Sequence, residues 1–371
     1  MLKDSVLIEK LFERCGPVLR HRIAAELADN LPCDIEMLRC AAAGHPEALQ
    51  NIRYYTDGAK MGRNYFYPKM VHGSKPEQLE NTAGKLWALG MGKGIPEMDE
   101  VFDIYLAIMD YDFYRKNVMR AGYGVYQIAQ LLGLLGYGDQ ERVRVILQAR
   151  LDQLYHFVRQ ERYDIYVDIK DYPRPPSNWK DVDKIIDPAL TRYGDAENEP
   201  PLPSVYDILG MVGMKRAGVS DENREKINAV LRYCYDERYQ RNILPGYGLL
   251  LTPAGQYYSM GWSVHLPGYG QELDENTDMK QLLLWADLLS IFDVPEGFEL
   301  FGRLLDFLET YRDPEGFYTF PREFIPEEKT GYFVTGRHMG LGENRRQKDA
   351  YALEATFRVL KLKKNLHRLE L

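Results

Sequence analysis

Three stretches of this chain gather side chains able to do chemistry. Gly331-Tyr-Phe-Val-Thr-Gly-Arg-His-Met-Gly-Leu-Gly-Glu-Asn-Arg-Arg346 sets six polar side chains among four glycines, just before a helical pattern. Glycines let a ligand approach the backbone, and mixed polar groups on a loop beside a rigid element suit a binding site. His338 could act as a general acid or base, because its ordinary pKa lies near neutrality, and Glu343 adds a carboxyl group. Arg337 and Arg345 with Asn344 could hold an anion, since arginine forks match carboxylates and phosphates. The second stretch, Tyr257-Tyr-Ser-Met-Gly-Trp-Ser-Val-His-Leu-Pro-Gly268, offers Tyr258 and Trp262 as a stacking wall and His265 as a proton donor. The third, Val71-His-Gly-Ser74, supplies His72 and leads into a helix carrying Glu80 and Asn81.

Each group has a structural alternative. The arginines could tie their loop to neighbouring acids, the histidines could be hydrogen-bonded in the core, and Trp262 could anchor its loop. Glu80 and Asn81 are adjacent, so they point about 100° apart on a helix and at most one faces a cavity directly. No metal-ligand spacing is present: Cys15, Cys33, Cys40 and Cys234 form neither a CxxC pair nor a disulfide-rich pattern. The sequence names no cofactor.

These stretches need a frame, and the rest of the 371 residues reads as helical. Inner segments that are apolar on most of their circumference precede amphipathic, charged outer ones: 125–136 before 140–160, 205–218 before 221–235, and 281–292 before 296–311. A further inner segment runs from near Pro76 to Gly90, and the last helix covers 350–362. Small residues on the inner segments (Gly84, Gly133, Gly210, Gly213) allow close approach of axes. Such repeated pairs predict an all-α repeat architecture over 64–371, either an openly curving solenoid or, with a few long pairs, a closed α/α toroid, with a small N-terminal helical cap over 1–63. The long insertions 163–203, 236–276 and 311–347 each follow an outer helix and would lie on one face of that ring. An aromatic connector, Asn64–Met70, leads into the His72 loop.

Net charge is −8 with both signs interspersed, which argues against a nucleic-acid partner. No apolar run reaches the roughly 18–20 residues of a membrane span. Charges fall where a signal peptide would carry its apolar core, so a cytoplasmic protein is expected. The 27 tyrosines, apolar faces with polar tips, would suit the wall of a half-wet cavity.

The helix pairs, with Asp313-Pro-Glu-Gly-Phe-Tyr-Thr-Phe-Pro321 and Ala352-Leu-Glu-Ala-Thr-Phe-Arg-Val-Leu360, resemble the terpenoid cyclase and protein prenyltransferase superfamily of α/α toroids. More narrowly, the chain is similar to bacterial proteins of unassigned activity labelled as having prenyltransferase or squalene-cyclase-like repeats. The likeness spans residues 68–362. It implies the toroid fold and an apolar, isoprenoid-type ligand in its mouth, but not the family chemistry. The chain lacks both an Asp-x-Asp-Asp and an Asp-Asp-x-x-Asp motif; Asp181-Val-Asp183 and Glu97-Met-Asp-Glu100 are incomplete. The expectation is therefore a small-molecule-binding protein, an enzyme or enzyme-derived binder, whose catalytic candidates are His338, His265 and Glu343. A second expectation is a lyase or glycoside hydrolase acting on polysaccharides, with Glu80 and Glu343 as its carboxylate pair. A third is a non-catalytic scaffold whose loop face binds a protein.

Overall fold

The computed structural model describes residues 3–28, 33–64, 70–109, 118–191, 201–244, 246–252, 255–274 and 276–370. The aromatic connector at 65–69 lies outside them. In chain order the helices are α1 Asp4–Arg14, α2 Pro17–Glu26, α3 Ile35–Ala43, α4 Pro46–Asn64, α5 Leu79–Ala88, α6 Pro96–Glu100, α7 Phe102–Met109 and α8 Val118–Leu134. They continue as α9 Glu141–Val158, α10 Val205–Ala217, α11 Asp221–Tyr235, α12 Glu237–Asn242, α13 Met279–Leu289, α14 Pro295–Leu308 and α15 Ala350–Asn365. Four short strands intervene: β1 Tyr166–Asp168, β2 Lys184–Ile186, β3 Gly248–Leu251 and β4 Tyr257–Met260.

The chain divides into two compact units. The first comprises Met1–Tyr105, Leu134–Gly136 and Pro267–Leu371, and the second Leu106–Gly133 and Tyr137–Leu266. In the first unit every residue of α5 is buried, as befits a helix apolar on nearly all sides. Proline starts α2 and α14, where its missing N–H costs nothing. Asp34 caps α3 by accepting from the Glu36 and Met37 amides at 3.0 and 3.1 Å. Both ends of the chain meet in this unit, where Asp4 accepts from the Glu370 amide at 3.1 Å and pairs with Lys363 at 3.4 Å.

In the second unit α8 and α10 pack with their backbones nearly touching: a Cβ on Gly213 would lie 2.3 Å from the carbonyl carbon of Gly133. Only glycine permits that approach. Ser204 and Asp207 form a capping box at the start of α10. The buried Asp207 carboxylate also accepts from Gln130 at 2.6 Å and from Arg150 Nε at 2.9 Å. Every oxygen of this carboxylate is thus satisfied in the interior.

The second unit also corrects the expected fold class. Its strands form one mixed sheet in the order β1-β2-β3-β4, antiparallel at each edge pair and parallel between β2 and β3. Ile185 pairs with Leu249 and Ile186 with Leu250 across the parallel step. Ile185, Leu249 and Leu251 are buried beneath Val167, Ile169, Tyr172, Trp179, Val182 and Tyr257. The chain is therefore not all-α, and its elements do not show a closed α/α toroid. The physical reason lies in the insertions. Residues 163–203 and 236–276, expected as loops on the face of a ring, supply β1 and β2 and β3 and β4 respectively. Four strands of three or four residues satisfy one another's backbone groups and share one apolar face.

Candidate functional site

The loops around His72 and His338 meet in the first unit, and α5 positions both. Asn81 spends its whole amide on them: Nδ2 donates to the Gly73 and Lys75 carbonyls at 2.9 and 2.8 Å, and Oδ1 accepts from the Phe333 amide at 2.8 Å. The Gly331 amide donates to the Ser74 carbonyl at 2.7 Å. One turn further along α5, Gly84 lets the Phe333 ring lie against the helix backbone; a Cβ there would come within 2.2 Å of the ring. Glu80, fully buried, accepts from the Gly73 amide at 2.5 Å and contacts His72 Nδ1 at 2.9 Å. The His72 ring stacks on Tyr332 with centroids 5.3 Å apart.

Asn81 and Lys85 are four residues apart and so share a face of α5. Lys85 is the centre of the site. Only 4% exposed, it donates to Glu327 Oε2 at 2.7 Å, to Glu47 Oε1 at 2.8 Å and to the Gly340 carbonyl at 2.8 Å. An ammonium has three hydrogens, and these partners use all of them. Gly340 closes the clasp by donating its amide to Glu327 Oε2 at 2.6 Å. Burial alone would lower the lysine pKa, but Glu327 and Glu47 more than reverse that and raise it. Burial would likewise raise the Glu327 pKa, yet Lys85 and the Gly340 amide, both within hydrogen-bond reach, bring it down to about 2. Lys85 is thereby held as a cation, which makes it a clamp rather than a nucleophilic amine.

His338 sits opposite Glu327 on a two-residue antiparallel bridge, flanked by Glu328 N–H to Arg337 carbonyl and Met339 N–H to Pro326 carbonyl contacts at 2.9 and 2.8 Å. It is 5% exposed, with Nε2 2.9 Å from the Gly331 carbonyl and Nδ1 3.9 Å from Glu327 Oε1.

Two cavities open on this clasp. The first, about 260 Å³, is lined by Glu47, Asn51, Tyr54, Pro76, Asn81, Lys85, Glu327, Glu328, Lys329 and His338. The second, about 620 Å³, is lined by Glu47, Glu327, Gly340, Gly342, Glu343, Asn344, Arg345, Arg346, Tyr351 and Glu354. Glu47 and Glu327 belong to both walls, so the clasp is the partition between them.

The other candidates from the sequence fall as follows. Glu343 lines the second cavity; its Oε1 accepts from the Gly16 amide at 2.7 Å, and burial raises its pKa. Arg345 is committed to structure: it pairs with the fully buried Glu354, donates Nη1 to the Ile325 carbonyl at 2.6 Å and lies over the Tyr351 ring at 4.8 Å. Asn344 Oδ1 accepts from the Arg346 amide at 3.2 Å, closing a turn. Arg337 is exposed and pairs with Glu328 at 3.1 Å. Glu80 is on neither cavity wall, so the pair Glu80 and Glu343 does not meet in either of these cavities.

Tyr258, Trp262 and His265 belong to the second unit. Tyr258 is on β4 rather than in a loop, with its hydroxyl 2.9 Å from Gln256. The Trp262 carbonyl accepts from the Val205 amide at 2.9 Å, and Gln240 accepts from the Leu266 amide at 2.9 Å, so this segment is pinned to the helices. Burial lowers the His265 pKa.

Lys85, Glu47 and Glu327 did not stand out from sequence pattern. A signal existed for the first: a single lysine inside the apolar run Ala83-Gly-Lys-Leu-Trp-Ala88 must find partners when buried. Glu354, alone in the apolar start of α15, carries the same signal. Glu47 and Glu327 look like ordinary surface acids, and nothing local marks them. Among the described residues, no group of three or more His, Cys, Asp or Glu side chains could hold a metal ion, and no helix is long and apolar enough to cross a membrane.

No protein-family model matches this chain, and comparisons with curated proteins and with solved structures find no match either. The functional reading rests on the geometry of the first unit.

Proposed function

We propose that the first unit binds a small, polar, hydroxyl-rich ligand of sugar-like chemistry in the paired cavities around Lys85. The observation that carries this reading is the composition of the two cavity walls taken together. Five carboxylates (Glu47, Glu327, Glu328, Glu343, Glu354) face four cations (Lys85, Lys329, Arg345, Arg346), with Asn51, Tyr54 and Tyr351 between them. The excess of carboxylates over cations disfavours an anionic ligand such as a diphosphate. Donors and acceptors set side by side suit hydroxyl groups, which need both. An isoprenoid chain fits poorly, because it would strip water from these charges and return no hydrogen bonds.

A second reading, glycoside hydrolysis, is favoured by one feature. Glu343 and Glu327 share the larger cavity while their surroundings push them in opposite directions, burial raising Glu343 and the clasp holding Glu327 ionised. Such divergence separates a general acid from an ionised partner.

The binding reading is tested by thermal unfolding with a panel of neutral mono- and oligosaccharides and with farnesyl diphosphate, for wild type and Tyr54→Ala. A ligand at a hundred times its Kd adds about 2.7 kcal/mol, and each kcal/mol moves Tm by roughly 2–4 °C in a domain of ~150–250 residues. A sugar that shifts wild type by several degrees and the variant by less supports the reading. Flat melting curves across the sugars, or a shift with the prenyl diphosphate alone, count against it. Release of nitrophenol from aryl glycosides, lost in Glu343→Gln, would favour the hydrolytic form.

A further inference from the structure

Within the sugar-like reading above, on which this step rests, we infer that the ligand of the smaller cavity carries a primary ammonium group, seated between His338 Nδ1 and Glu327 Oε1 as in an amino sugar. The inference starts from hydrogen-bond roles. The Gly331 carbonyl can only accept, so His338 Nε2, 2.9 Å away, must carry the ring hydrogen. In the neutral ring Nδ1 then presents a lone pair. It faces Glu327 Oε1, another acceptor, across 3.9 Å. That separation exceeds a hydrogen bond, so a doubly protonated ring does not bridge it directly either. Nδ1 belongs to a side chain only 5% exposed that lines the cavity, and it has no hydrogen bond among the described residues.

Two acceptors facing each other across such a gap call for one donor with at least two hydrogens. Water and an ammonium both qualify, whereas a hydroxyl has a single hydrogen and cannot donate to both. Charge separates the two. One lysine faces two carboxylates in the clasp, so Lys85, Glu47 and Glu327 together leave one negative charge uncompensated. Glu47 lines the same cavity and adds its carboxylate to that wall. Lys85 does not serve this role itself, because its hydrogens already point to Glu47, Glu327 and Gly340. An ammonium brings three donors and the missing positive charge together.

The test is calorimetric titration of the intact protein with glucosamine, glucose and N-acetylglucosamine, which share a ring and differ at one substituent. Glucosamine is expected to bind at least tenfold more tightly than the other two. The preference should shrink toward unity in Glu327→Gln and fall severalfold in Glu47→Gln, whose side chain is only one of three partners of Lys85. If Glu327→Gln does not fold, the Glu47→Gln result decides. Equal binding of glucose and glucosamine overturns the ammonium site and leaves the sugar-like reading standing, with water as the bridging donor. Preference for glucosamine unchanged in both variants overturns the placement. Failure of all three sugars to bind removes both the inference and the reading beneath it.

Discussion

Replacing Lys85 by methionine keeps most of its volume and removes its charge, which isolates the role of the clasp. At pH 7 the change leaves Glu47 and Glu327 facing each other without a cation and the Gly340 carbonyl without its donor. Removing one partner from a buried ion pair costs about 3–5 kcal/mol. The Glu47 and Glu327 side chains are 30% and 31% exposed, so water recovers part of that loss and roughly 2–3 kcal/mol is expected here. The pH dependence is more diagnostic than the size. In wild type the Glu327 pKa falls from an ordinary 4.5 to about 2, so its contribution is complete above 4.5 and is lost as pH falls through 2. At pH 3 the wild-type carboxylate is still ionised while its unfolded counterpart is mostly protonated, a loss of about 2 kcal/mol at ~1.36 kcal/mol per pKa unit before allowance for exposure. In Lys85→Met the main charge opposing burial is gone and the Gly340 amide alone still favours the ionised form, so the Glu327 pKa moves back up and much less is lost between pH 7 and pH 3. The difference between the two proteins should therefore shrink by roughly 1–2 kcal/mol between pH 7 and pH 3. Urea unfolding at both pH values measures it. A penalty of the same size at both would refute the clasp as the source of the effect.

Two further substitutions probe the frame. Gly340→Ala would place a Cβ 2.7 Å from Glu327 Oε2 and 3.2 Å from Lys85 Nζ, so it should open the clasp. Urea unfolding is expected to show a loss of ~1–3 kcal/mol; an unchanged midpoint would mean the loop yields without cost. In the second unit, Asp207→Asn sets an amide against Arg150, Gln130 and the Ser204 amide, each of which donates to that carboxylate. A loss of about 3–5 kcal/mol is expected in the same assay, and a loss under ~1 kcal/mol would show that the network adds little.

Helix positions were legible because periodicity and punctuation agree there. The apolar segment read at 205–218 is α10, and the amphipathic ones read at 221–235 and 296–311 are α11 and α14, within a few residues at each end. The sheet was not legible. Lys184-Ile-Ile186 and Gly248-Leu-Leu-Leu251 are too short to show a period, and their pairing is set by residues about sixty positions apart. Of the site, the sequence pointed to His338, Glu343, Asn344, Arg345 and Asn81 on the cavity walls, because polar residues among glycines stand out. It grouped them with Tyr258, Trp262 and His265, which share that look but belong to the other unit. The clasp stayed hidden for a different reason. Glu47 and Glu327 acquire their role only by meeting Lys85, across 38 and 242 positions of chain. Such meetings come from tertiary packing and leave no local trace.

The most direct measurement is hydrogen–deuterium exchange of the whole chain with and without saturating glucosamine. Protection confined to peptides covering 47–54, 73–85 and 325–346 is the predicted result, because these segments alone contribute the wall of the smaller cavity and its supports. Protection centred on the sheet of the second unit, or none at all under conditions where the sugar is bound, would contradict the placement of the ligand site at Lys85.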